Sequence, residues 1–172
     1  MKFLIVSDSH GLTDELKDVV RRHRDEVDVC FHCGDSELAA DAPEMAPFIG
    51  VKGNCDAFDA GYPNERIHDL DGAKLLITHG HLYRVDAGLI NLYYKAEESG
   101  CGIVCFGHTH VAGSARQGDV VFINPGSLRL PRGRHTRSYA LAEWRKSERR
   151  LTVSFYTDAG DPIPDLSVEY RL

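Results

Sequence analysis

The sequence has no N-terminal apolar run long enough to cross a membrane or to serve as a secretory leader. Phe3-Leu4-Ile5-Val6 is followed by Ser7 and Asp8, so the run stops at a carboxylate after four residues, whereas a helical span needs about 20 and a leader core about 7–15. That predicts a first β-strand, a cytoplasmic location and no membrane partner. Positive charge is also scarce. Lys and Arg number 20 against 26 Asp and Glu, a net charge of −6. The one sizeable basic stretch is 129–137, with four arginines and no acid, which argues against long nucleic acid as a partner. The five cysteines are an odd number, and Cys30, Cys101 and Cys105 sit in apolar runs. This excludes a disulfide framework and fits reduced thiols. Cys30-Phe31-His32-Cys33 has the spacing of zinc and redox sites, but Cys30 lies in a strand-like run, where it behaves as a small hydrophobe. Internal repeats, long linkers and low-complexity tracts are absent, so one domain over residues 1–172 is expected.

What is present is a succession of short β-branched and apolar runs at 3–7, 27–32, 48–51, 74–78, 103–106 and 120–123, which read as buried strands. Alternating runs at 138–144 and 151–156, separated by the charged stretch 145–150, predict an antiparallel hairpin. Leu16, Val19, Val20 and His23 recur at i, i+3, i+4 and i+7, predicting a helix over 13–25 with Thr13 as N-cap. A second helix is predicted over 86–99, with Leu89, Leu92, Tyr93 and Ala96 on one face and Gly100 as terminator. Pro43 would interrupt any long helix over 37–46. Strands alternating with helices indicate an α/β sandwich.

Polar, metal-competent residues stand directly after the apolar runs: Asp8-Ser9-His10, Gly34-Asp35, Gly53-Asn54-Cys55-Asp56, Thr78-His79-Gly80-His81 and Gly107-His108-Thr109-His110. Loops beyond strand ends are where α/β sheets place their sites. The spacing of Asp8 and His10 lets a carboxylate and an imidazole leave one strand toward the same ion. Carboxylate and amide oxygens mixed with imidazole suit Mn²⁺, Fe or Zn²⁺ better than Ca²⁺ or a structural zinc cage.

Five such blocks in this order resemble the calcineurin-like metallophosphoesterase superfamily, and the short length, the Gly-Asn-Cys-Asp variant and Asn124-Pro125-Gly126-Ser127 resemble its small, uncapped prokaryotic phosphodiesterases. The resemblance implies a four-layer α/β/β/α sandwich of two mixed sheets flanked by helices. It implies two divalent ions per chain, Mn²⁺ first with Fe, Ni or Zn as alternatives: Asp8, His10 and His110 around one, Asn54, His79 and His108 around the other, Asp35 bridging. Attack by a hydroxide shared between the ions on a small phosphodiester follows from it, as does a homodimer as the fair guess for assembly. Two other readings stand beside it, a catalytically weak protein-binding scaffold of the same fold, like the retromer subunit, and a nuclease. Cys55 departs from the family pattern, which has histidine there as the proton-handling group, so Cys55, Asp56 and His81 are the candidates for that work. His81 is equally a candidate to orient His79, and His32 to support the neighbouring turn. Ser9 reads as structural, and His23, His68 and His135 as packing or surface residues. Arg129 and Arg132 follow a strand as the ligand loops do and are candidates to hold substrate phosphate oxygens, with a solvated loop as the alternative.

Overall fold

The computed structural model describes residues 1–172. Its eleven strands are β1 (Lys2–Val6), β2 (Val29–His32), β3 (Phe48–Gly50), β4 (Glu65–Asp69), β5 (Lys74–Thr78), β6 (Ile103–Cys105), β7 (Gly113–Gln117), β8 (Val120–Asn124), β9 (Ser138–Arg145), β10 (Arg150–Thr157) and β11 (Val168–Arg171); the helices are α1 (Asp14–His23) and α2 (Ile90–Ser99). One sheet has the order β11-β10-β9-β1-β2-β3 and the other β4-β5-β6-β8-β7. Both are mixed. β1, β2 and β3 run parallel, as do β5, β6 and β8, and the flanking strands pair antiparallel.

Alternation along the central strands sorts side chains into layers. Phe3 and Ile5 of β1 meet Leu75 and Ile77 of β5 and Val121 and Ile123 of β8 in a cluster of 19 buried residues between the sheets. The intervening Leu4 and Val6 face outward onto Leu16 and Val19 of α1. On the other sheet, Leu76, Val104 and Phe122 face Leu92 and Ala96 of α2. The result is the expected α/β/β/α sandwich, each fully buried aliphatic side chain contributing about 1.5–3 kcal/mol relative to exposure.

Three departures from the sequence expectation have physical reasons. Helix α2 starts at Ile90 rather than residue 86, because Gly88 has φ +132° and the chain before it is folded into tight turns; Gly100, at φ +65°, ends it as expected. Thr13 occupies the N-cap position of α1 without a side-chain capping bond. Three strands go unpredicted: β4, β7 and β11 are sheet edges with largely polar, exposed residues. Of the 37–46 segment only Pro43–Met45 forms a helical turn. No helix is long and apolar enough to cross a membrane.

Candidate metal centre

All the parallel strands of both sheets end on the same side, and every metal-competent block leaves one of these ends. The loops turn sharply: Asp8, His10, Asp35, His108 and His110 all adopt positive φ, between +45° and +67°, a region that Asp and His enter more readily than bulky residues and that clusters at functional sites. They also pack backbone against side chain with no room to spare. A Cβ on Gly53 would lie 2.0 Å from Asp35 Oδ1, and one on Gly107 2.0 Å from Ser7 Oγ and 2.6 Å from Asp8 Oδ2.

Asp8, His10 and His110 converge, as do Asp8, Asp35 and His79, with one donor atom from each lying within 4.8 Å of the others. His110 Nε2 is 3.0 Å, His79 Nε2 3.9 Å and His10 Nε2 4.0 Å from Asp8 Oδ1. His79 Nε2 is 3.3 Å from Asp35 Oδ2 and 3.2 Å from Asn54 Oδ1. His108 stands further out, its ring centroid 5.2 Å from that of His79.

The tautomers follow from the outer partners. His79 Nδ1 is 2.7 Å from the Cys33 carbonyl and His110 Nδ1 2.7 Å from the Leu130 carbonyl. A carbonyl only accepts, so each Nδ1 carries the hydrogen. His10 Nδ1 donates likewise to Glu37 Oε1 at 2.7 Å. In the neutral rings all three Nε2 atoms therefore aim lone pairs inward, at one another and at carboxylate oxygens. His10 Nε2 and His110 Nε2 are 3.4 Å apart, and Asp8 Oδ1 is buried without a hydrogen-bond donor. Acceptors facing acceptors in a buried place fit a cation. The donor set, imidazole nitrogen with carboxylate and amide oxygen and outer carbonyl or carboxylate partners on the rings, is one that suits divalent transition metals.

The same field moves proton affinities. Burial disfavours a charged His79, but the hydrogen bond that the charged ring can make to Asp35 and the charges of Asp8 and Asp35 outweigh burial and raise its pKa. His110 is raised chiefly by the hydrogen bond that its charged ring can make to Asp8. Burial acts against the Asp35 carboxylate too, yet His79 and the Cys55 N–H hold it well below the usual carboxylate range. His108 is lowered by burial and then by the charge of His79.

Several candidates take places other than those expected of them. Asp56 is buried, and its carboxylate accepts from the backbone N–H groups of Asp35 (2.9 Å), Gly53 (2.7 Å) and Glu37 (2.7 Å) and from Ser36 Oγ (3.2 Å). So occupied, it clamps the ligand loops together. His81 makes no hydrogen bond to His79, whose Nδ1 is taken by Cys33, and its own Nδ1 is buried and unpaired. Arg129 donates from its guanidinium to the His10 carbonyl, holding the ligand loop from behind. Arg132, by contrast, lines the same cleft as His10, Asp35, Asn54, Cys55 and His110. Cys55 is exposed there; its N–H donates to Asp35 Oδ1 at 2.7 Å, and burial of the sulfur followed by the Asp35 carboxylate pushes the thiol up to about 12. His32 is fully buried: its Nδ1 accepts from the Gly34 N–H and its Nε2 donates to Ser9 Oγ at 2.9 Å, with burial pulling its pKa down to about 4. His23 packs on Tyr139, bonded at 2.7 Å.

Sequence reasoning missed Glu37, whose carboxylate fixes His10, since nothing in its spacing from Asp35 announces a partner 27 residues back. It also missed what Asn124-Pro125-Gly126-Ser127 does. Asn124 Nδ2 donates to the Gly107 carbonyl and Thr109 Oγ1, while Ser127 Oγ donates to the Asp8 carbonyl, so this turn ties the Asp8 loop to the His108 loop.

Comparison with known proteins places these features in context. The family described as the calcineurin-like phosphoesterase superfamily domain matches residues 1–147. The chain is 48% identical over 166 residues to the probable metallophosphoesterase YsnB of Bacillus subtilis, covering 96% of each. It is 30% identical over 103 residues to phosphodiesterase YfcE of Escherichia coli K12, covering 55% of this chain and 52% of that one. A crystal structure of a predicted phosphoesterase from Streptococcus pneumoniae superposes with TM-score 0.93 at 36% identity, covering 99% and 97%.

Proposed function

Because the chain belongs to the calcineurin-like phosphoesterase superfamily, we propose that it is a two-metal phosphoesterase that hydrolyses small phosphodiesters. The observation that carries this reading is the convergence of imidazole lone pairs and carboxylate oxygens around the donor-less Asp8 Oδ1. In it Asp8, His10 and His110 hold one divalent ion, Asn54, His79 and His108 the other, and Asp35 serves both. Mn²⁺ is the first candidate, with Fe, Ni or Zn next. When bound, such a pair makes water a nucleophile at neutral pH and offsets charge on the phosphoryl oxygens.

The chain's own residues do the remainder. The Cys33 and Leu130 carbonyls and Glu37 keep three rings aimed, which lowers the reorganisation needed at the moment of reaction. Asp56 fixes the separation of the Asp35 and Asn54 loops. Arg132 at the cleft wall binds a non-bridging phosphate oxygen. The exposed thiol of Cys55 hands a proton to the leaving oxygen. No covalent phosphoenzyme is required, and Ser9, the hydroxyl between two ligands, is buried and paired with His32. The diester preference is supported by the likeness to phosphodiesterase YfcE and by a cleft of about 780 Å³, ample for two ester groups.

Asp35→Asn tests the proposal, with metal content per chain and turnover of a chromogenic diester measured together. Both metals and several orders of magnitude in rate should be lost, because one charge offsets the repulsion of two cations. Two retained metals with near-normal turnover would remove Asp35 from its shared role. Metal binding by the parent without turnover of any phosphate ester would favour the scaffold.

A further inference from the structure

The cleft is larger than the metal centre and changes character along its length. One end is His10, Asp35, Asn54, His108 and His110; the other is walled by Val85, Leu89, Phe106, Ala112, Ala115 and Phe122. Its floor is the outer face of the β5-β6-β8-β7 sheet. Gly113 and Ala115 of β7 lie opposite Asn124 and Phe122 of β8 and so share their face. Small residues there keep the cleft open above this face: a Cβ on Gly113 would meet nothing within 4 Å and Ala115 is exposed, while Phe106 and Phe122 beneath them are buried. Between the two ends stand Val111 and Leu130, which remain 47% and 53% exposed.

The polar side chains along the apolar end are already engaged. Asn124 Nδ2 and Oδ1 bond Gly107, Thr109 and Gly126; Thr109 Oγ1 accepts from Asn124 and from the Val111 N–H; Ser114 Oγ pairs with Tyr170 at 2.9 Å. This wall offers little to recognise a sugar or a base edge, and the exposed carboxylate of Asp86 in the same cleft opposes a second phosphate. Apolar pockets with few committed polar groups select for apolar groups.

We propose that the substrate is a phosphodiester carrying one neutral, apolar substituent, aromatic or branched alkyl, which lies against the accessible apolar wall of Leu89, Val111, Ala115 and Leu130 while the phosphate occupies the metal end. The inference rests on the phosphodiesterase reading above, but its test does not require turnover. Non-hydrolysable phosphinates of graded size, dimethylphosphinate, methyl(phenyl)phosphinate and methyl(naphthyl)phosphinate, in which P–C bonds replace the ester bonds, are titrated into the full chain with and without Zn²⁺ as the diamagnetic stand-in for Mn²⁺. Binding is followed through the methyl resonances of Val85, Leu89, Val111 and Leu130.

Affinity should rise roughly tenfold from the dimethyl to the naphthyl phosphinate, the effect of burying about half an aromatic ring system, with the Leu89 and Val111 methyls shifting only for the aryl phosphinates. Ala115→Leu, and independently Gly113→Val, should reduce that gap to about twofold or less by filling the floor. Equal affinities, or shifts confined to the ligand loops, would overturn the proposal and leave the apolar wall to a protein partner. A retained aryl preference in a chain that turns over no ester would sink the hydrolase reading alone; turnover indifferent to the apolar group, with a flat binding series, would sink this one alone.

Discussion

Replacing Asp56 by Asn separates a structural clamp from a proton donor. Each carboxylate oxygen accepts twice, Oδ2 from the Asp35 and Gly53 amides and Oδ1 from the Glu37 amide and Ser36 Oγ. An amide in place of the carboxylate turns one of these oxygens into a donor. The favourable orientation puts the new NH₂ toward Ser36, whose hydroxyl can rotate to accept, and leaves the Glu37 N–H unpaired. Orphaning this part-buried donor costs up to about 1–3 kcal/mol, and the remaining bonds lose their charge assistance. A destabilisation of roughly 2–4 kcal/mol follows, which at a urea slope of about 2 kcal/mol per M moves the midpoint down by about 1–2 M. Because Asp56 holds the Asp35, Glu37 and Gly53 amides, metal should also bind more weakly, and diester turnover should fall by a similar factor for nitrophenyl and alkyl leaving groups. The assay is urea unfolding, metal titration and a leaving-group series on the same preparation. A variant that is as stable as the parent and binds metal normally, yet loses rate selectively on alkyl esters, would show that Asp56 donates the proton after all.

Three further outcomes are expected. Cys55→His should raise rates for alkyl leaving groups more than for nitrophenolate, flattening the dependence on leaving-group pKa; an unchanged slope at equal metal occupancy would move the acid elsewhere. Arg132→Ala should raise KM or lower kcat for diesters with metal content unchanged, whereas Arg129→Ala, which frees the His10 carbonyl, should lower metal affinity first; identical effects of the two would dissolve this division of labour. His32, near pH 4 in the fold against about 6.5 in the unfolded chain, gives the unfolded state the greater proton uptake on acidification, so the stability it contributes is present above pH ~6.5 and lost as pH falls to ~4, on the order of 3 kcal/mol in all. His32→Gln should flatten the stability loss between pH 7 and 4.5, and a His32 ring resonance titrating near 6.5 would refute the assignment.

The buried strands and the ligand blocks are legible in the sequence for the same reason: a strand covered on both faces must be apolar throughout, so a carboxylate or imidazole at its end stands out. The edges β4, β7 and β11 carry no such signal, since Glu65, Arg116 and Glu169 face solvent and pairing on one side only imposes little pattern. Nor can spacing reveal that His79 is aimed by a carbonyl at residue 33 and His110 by one at residue 130. Backbone oxygens have no identity in a sequence. Nor does the sequence around Asp56 reveal that its carboxylate accepts from the Asp35, Gly53 and Glu37 amides and from Ser36 Oγ, contacts made only in space.

The carbonyl of Leu130 is also the last of the atoms that orient the metal-competent imidazoles to be made. Asp8 is synthesised first, His110 a hundred residues later, and the atom that settles which nitrogen of His110 carries its hydrogen comes 20 residues after that. A nascent chain therefore lacks the acceptor that orients His110 until the turn after β8 has emerged. In the two-metal reading, a chain truncated before that turn should bind divalent ions more weakly than its finished counterpart.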